Sequence, residues 1–131
     1  MLFKGCILKP SDNSGIKTVR CIRIINKTKV YGSVGDLLGV MIKSFKKQKK
    51  LLKKTMYYGL IVSTKAAIIR IEGTKIVCDY NRIVLLSNKE QILSTRLFGP
   101  IYKEIRNNFV GKGRYRRWRY DKVVSYAKKV I

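Results

Sequence analysis

The chain has no histidine and only seven acids among 131 residues. Without histidine it lacks the one side chain whose ordinary pKa lies near neutrality, the usual proton carrier of acid–base catalysis. The acids stand singly. Asp12, Asp36 and Asp79 sit beside turn glycines or asparagines, where aspartate ordinarily serves the turn. The expectation is a protein that is not an enzyme. Cys6, Cys21 and Cys78 are odd in number, widely spaced and form no C-x-x-C pair. That argues against a disulfide framework and against zinc ligation, so buried, reduced thiols and no cofactor are expected. Gly111-Lys112-Gly113 lacks the spacing and strand-to-helix context of a phosphate loop. No apolar run approaches the roughly 18 residues of a membrane span. The opening Met1-Leu2-Phe3-Lys4-Gly5 lacks the apolar region and cleavage site of a signal peptide. The expectation is a chain made where it works, or one already mature.

What the chain has is positive charge. Thirty lysines and arginines leave a net charge of +23. Such a chain repels itself unless a polyanion or counterions neutralise it. Nucleic acid is the commonest such partner, because its phosphates bind lysine and arginine and release counterions. An anionic membrane surface and an acidic protein are the alternatives. Apolar residues make up 46% of the chain, too many for a disordered basic tail. A folded core under a basic coat is expected, in a single domain spanning 1–131. Lysine outnumbers arginine by 20 to 10 and alanine occurs three times. That slant looks like AT-rich coding, as in an organellar genome or a low-GC bacterium.

Most of the chain reads as short strands. Residues 6–9 are apolar, and 10–15 are dense in turn residues. Residues 18–25 alternate, with Val19 and Cys21 set against Arg20 and Arg23. Further strands are expected at 37–42, 59–63, 67–71, 75–79 and 82–86, with Glu72-Gly73-Thr74 as a tight turn. Close spacing of short strands argues for a small β-barrel over 1–100. A C-terminal helical part is expected over 101–131. Ile101 and Ile105 would share one face of a helix over 101–108. A second helix over 121–129 would take Asp121 as its N-cap.

Two segments concentrate charge. Residues 43–54 hold seven lysines and no acid, and 111–120 hold five cations and no acid. Phosphate contact is expected of Lys43, Lys46, Lys47, Lys49, Lys50, Lys53 and Lys54, since an ammonium binds phosphate without fixed geometry. A merely solvated, projecting loop is the bland reading. In 111–120, Arg114, Arg116, Arg117 and Arg119 alternate with Tyr115, Trp118 and Tyr120. Guanidinium forks and stacking rings together suit folded RNA better than duplex DNA. The bland reading there is an edge strand whose rings pack on the barrel.

Several ordered landmarks carry a resemblance. They are Asp12-Asn13-Ser14-Gly15, Cys21-Ile22-Arg23, Val34-Gly35-Asp36 and Gly59-Leu60-Ile61-Val62. Asn81-Arg82-Ile83-Val84-Leu85-Leu86 follows, then Thr95-Arg96-Leu97-Phe98-Gly99-Pro100 with Glu104 and Arg106 behind it. Together, nearly end to end, they resemble the family of the universal large-subunit ribosomal protein fourteen, of bacterial or organellar type. The resemblance implies a five-stranded closed β-barrel with a short helical C-terminal part. It implies a structural role, binding large-subunit rRNA and meeting small-subunit rRNA through an intersubunit bridge. Implied protein partners are the large-subunit proteins three and nineteen, and a ribosome-silencing factor whose docking face maps onto Thr95, Arg96 and Lys122. The chain departs from the family at Cys78, at 66–69, in the lysine-rich segment and in an insertion between Asn107 and Asp121. Such drift suits a mitochondrial protein, with a plastid or bacterial cytoplasm as the alternatives. A free single-stranded nucleic-acid-binding barrel is the rival reading. It would need aromatics on strand faces, whereas the rings here lie near turns and in the tail.

Overall fold

The computed structural model describes residues 2–12, 15–25, 31–45, 56–86, 92, 96–103, 105, 123–127 and 129–131. Nine strands are present among them: β1 (Ile7–Pro10), β2 (Ile16–Ile24), β3 (Leu37–Phe45), β4 (Met56–Ser63), β5 (Ile68–Ile69), β6 (Lys75–Ile76), β7 (Arg82–Leu86), β8 (Pro100–Ile101) and β9 (Lys129–Val130). Five of them close a barrel in the order β1-β2-β3-β4-β7. The ladders are antiparallel except where β1 meets β7 and pairs parallel. Closure leaves no barrel strand with an unpaired edge. The expected mainly β, five-stranded barrel is therefore the observed one.

Pro10 was expected to open a turn, but it is the last residue of β1, opposite Ile83. Lys9 N donates to Asn81 O at 3.1 Å and Ser11 N donates to Ile83 O at 2.9 Å. In a parallel ladder alternate residues donate to the same neighbour, so the missing N–H of Pro10 falls where β7 asks for none. β3 and β4 also run further than the apolar runs suggest. Lys43 belongs to β3 and Met56 to β4, because an outward-facing side chain on a half-buried strand need not be apolar.

β4 and β7 are buried without a break over 59–63 and 83–86. Both faces of these strands are therefore covered, one by the barrel interior and the other by the C-terminal part. That part contributes Leu97, Ile101, Tyr102, Ile105 and Val123, all at most 1% exposed. Tyr102 N donates to Val62 O at 3.1 Å, and its hydroxyl donates to Thr64 O at 3.3 Å. Burying each large apolar side chain contributes about 1.5–3 kcal/mol, so these described residues are part of the core.

Among the described residues, the helices expected over 101–108 and 121–129 are absent at 101–103, 127 and 129. Ile101 lies in β8, while Ile105 is helical, and both are buried. Among the described residues the second helix covers 123–126, and Lys129 is already in β9. Pairing overrides helix here. β9 runs parallel to β8, Ile131 N donates to Ile101 O at 2.9 Å, and Lys103 N donates to Ile131 O at 2.9 Å. The expected cap Asp121 lies outside the described residues.

Of the three cysteines, all free, only Cys21 is fully buried; Cys6 and Cys78 are half-buried. Burial pushes the Cys21 thiol above its ordinary pKa of 9.0, nearby Cys6 adds to this, and Lys4 opposes it. The folded state thus holds this proton more tightly than the unfolded chain does. Below the ordinary value both states are protonated and the contribution is complete. As pH rises past it, unfolding releases the proton and stability falls. Urea midpoints from pH 7 to 10 should fall more steeply for the native chain than for Cys21→Val. Parallel curves would remove this assignment.

Candidate nucleic-acid interface

The barrel sorts charge by strand geometry. β2 (IKTVRCIRI) buries Ile16, Val19, Cys21 and Ile24 and exposes Lys17, Arg20, Ile22 and Arg23. Arg20 and Arg23 are three apart and would face opposite ways on a regular strand. A register irregularity between Cys21 and Arg23 against β3 adds the residue that turns both outward. One cross-strand row on the outer face then runs Ile7, Arg20, Met41 and Met56. Its three apolar members are 39–54% exposed. Lys9 on β1 and Lys43 on β3 are exposed as well. The result is a basic surface with apolar patches, which offers phosphate contacts together with flat area for bases or riboses.

The acids go the other way. Asp12 and Asp36 are 8% exposed. Asp36 serves its turn as expected, accepting from Ser33 N at 2.8 Å and Ser33 Oγ at 3.1 Å beside Gly35, whose φ is 94°. Asp12 does more than serve a turn. Its Oδ2 accepts from Leu85 N at 3.1 Å, 73 residues away, and its backbone bridges Leu97. Among the described residues only Glu72 and Asp79 remain as exposed acids.

Two cations are seated by neighbours. A side chain on Gly39 would bring its Cβ to 3.1 Å from Arg23 Cγ and 3.4 Å from Nε, so the Arg23 stem lies across this glycine. The Lys9 ammonium sits 3.6 Å from the Tyr80 ring centroid, a cation–π contact worth about 0.5–1 kcal/mol at an exposed site. Gly39→Val should unseat Arg23 and weaken RNA binding several-fold. Arg23→Ala should remove the effect of a second Gly39→Val change. Additive losses in a filter-binding double-mutant cycle would contradict this seat.

Of the expected site residues, Lys43 is exposed near the end of β3. Lys46, Lys47, Lys49, Lys50, Lys53 and Lys54 lie outside the described residues, between two strands that pair antiparallel. Arg114, Tyr115, Arg116, Arg117, Trp118 and Arg119 also lie outside them, as do Thr95 and Lys122. Arg96 is exposed and precedes Leu97, which bridges Asp12 beside the end of β1. The structure adds Lys9, Arg20 and Arg23, which the sequence reading set outward or passed over without assigning a role. Tyr57 and Tyr58 lie within β4 and are half-buried, not near a turn as expected.

A closed barrel that buries Asp12 and Asp36 and turns Arg20 and Arg23 outward presents a basic surface of the kind that attracts polyanions. The profile of "Ribosomal protein L14p/L23e" matches residues 1–131. The chain is 34% identical over 132 residues to the "Large ribosomal subunit protein uL14" of Carsonella ruddii (strain PV), covering 100% of both proteins. The chain belongs to the ribosomal protein L14p/L23e family. It is a structural constituent of the large ribosomal subunit, in a family of structural proteins rather than enzymes. Its partners are ribosomal RNA and other ribosomal proteins.

Proposed function

We propose that the chain clamps large-subunit rRNA with three sets of cations. These are the outward row on β1 to β3, the lysines of 43–54, and the arginines of 111–120 with Tyr115 and Trp118. The observation that carries the reading is the sorting of charge: Asp12 and Asp36 are consumed inside while Arg20 and Arg23 are both turned out. Replacing Arg20 and Arg23 together by glutamine should lower the log–log salt slope of rRNA binding by about 1.4–1.8, at roughly 0.7–0.9 per neutralised phosphate. An unchanged slope, with the fold intact by circular dichroism, would take these residues out of the interface.

Thr95, Arg96 and Lys122 form the face proposed to meet the small subunit through a bridge to its rRNA and to receive a silencing factor. Large-subunit proteins three and nineteen are the proposed neighbours. The whole chain is read as one domain, with barrel 1–100 and C-terminal part 101–131. We place it in a mitochondrial ribosome, with plastid and bacterial ribosomes as the alternatives. The support is the lysine-rich, alanine-poor composition and the divergent segments. Gradient fractions of purified mitochondria, probed for this chain, should carry it with the large subunit; a signal confined to other ribosomes would refute that placement.

A further inference from the structure

Cys6 and Cys21 face each other across the first ladder of the barrel. β1 and β2 pair with Ile7 opposite Arg20 and Leu8 opposite Val19. One more step in the same register sets Cys6 opposite Cys21. Cys21 N donates to Cys6 O at 2.9 Å, while Cys21 O is taken by Gly5 N at 2.8 Å; with Gly5 at φ 88°, Gly5 and Cys6 together oppose Cys21 as a β-bulge at the end of the ladder. Cys6 alternates with Leu8, and Cys21 with Val19. Leu8 and Val19 are fully buried, so both thiols lie on the inner face. Opposed residues on antiparallel strands have Cα atoms about 4.5–5.5 Å apart, within the roughly 4.4–6.8 Å that disulfides span.

The two sulfurs differ in access. Cys21 is 1% exposed, whereas Cys6 is half-buried and its Sγ accepts from Phe3 N at 3.3 Å. A small oxidant therefore reaches Cys6 first. Burial raises the Cys21 thiol pKa, so its attack on an oxidised Cys6 requires loss of the Cys21 proton and speeds up as pH rises.

We propose that Cys6 and Cys21 are an oxidisable dithiol that closes to a cross-strand disulfide under peroxide. The Cys6 sulfur attacks one oxygen of hydrogen peroxide, the O–O bond breaks, and a sulfenic acid forms with release of one water. The Cys21 sulfur then attacks the Cys6 sulfur. The S–O bond breaks, the hydroxyl leaves with the Cys21 proton as a second water, and the S–S bond forms. Two thiols lose two electrons in all, and one peroxide is reduced to two waters. The link ties β1 to β2 beside the parallel closure of the barrel.

The test treats the folded, full-length protein with hydrogen peroxide, alkylates the remaining thiols and maps the peptides. The expected product is a Cys6–Cys21 linked peptide with Cys78 alkylated, and an intact mass lower by two hydrogens. Its melting temperature should rise and return with dithiothreitol. Cys6→Ser should abolish the link and the rise, and Cys78→Ser should leave both unchanged. Should Cys21→Ser fail to fold, Cys6→Ser at its half-buried site still tests the pair. Separate oxidation of Cys6 and Cys21, links shared with Cys78, or equal yield of the link in urea would each overturn the proposal.

Discussion

Deleting residues 111–120 will flatten the salt dependence of rRNA binding more than any single substitution. The segment holds Lys112, Arg114, Arg116, Arg117 and Arg119 without an acid. If each neutralises one phosphate, the log–log slope falls by about 3.5–4.5, at roughly 0.7–0.9 per phosphate. Affinity near physiological salt should fall by about 10²–10⁴, since a few phosphate contacts carry effects of that size. Replacing Tyr115 and Trp118 by alanine separates stacking from charge. It should lower affinity by about 1–3 kcal/mol per stacked base while leaving the slope in place. Titration of the full-length chain against large-subunit rRNA at several salt concentrations measures both. A deletion that leaves the slope unchanged would assign the segment to a protein contact.

Asp12→Ala is expected to be among the most destabilising single changes in the barrel. The carboxylate accepts from Leu85 N of β7. The neighbouring backbone ties the same point to β7 and to the C-terminal part, through Ser11 N to Ile83 O and Phe98 N to Ser11 O. Alanine would leave the Leu85 N–H buried without its acceptor, and a hydrogen bond to a charged group contributes about 1.5–3 kcal/mol. For a domain of this size the melting temperature should fall by roughly 5–12 °C. Asp12→Asn, which keeps an oxygen in reach, should lose less than half as much. Urea denaturation of the three proteins decides it. Equal stability of Asp12→Ala and the native chain would mean that Asp12 serves only its local turn.

These two expectations differ in how far the residues announced them. The basic segment is visible as composition, because five cations without an acid need no structure to be noticed. Asp12 is not, since Pro-Ser-Asp-Asn-Ser-Gly reads as turn chemistry and nothing local points 73 residues ahead to Leu85. The same contrast runs through the fold. β7 (Arg82–Leu86) has the bounds its apolar run suggested. β8 and β9 have two residues each and exist only because they pair with one another. The helical pattern read over 121–129 holds at 123–126, and long-range pairing overrides it only at Lys129. Arg20 and Arg23 were set outward by alternation, but the irregularity that brings both to one face depends on register with β3. The family was legible from ordered landmarks, and the profile match over 1–131 bears it out.

The central claim is that this chain is a built-in part of the large subunit, held by neutralised phosphates. Large subunits purified on a sucrose gradient through a high-salt wash, followed by quantitative mass spectrometry, test it most directly. The account predicts one copy of the chain per large subunit, retained through the wash. Its absence from washed large subunits, with the chain recovered in the soluble fraction, would contradict the account.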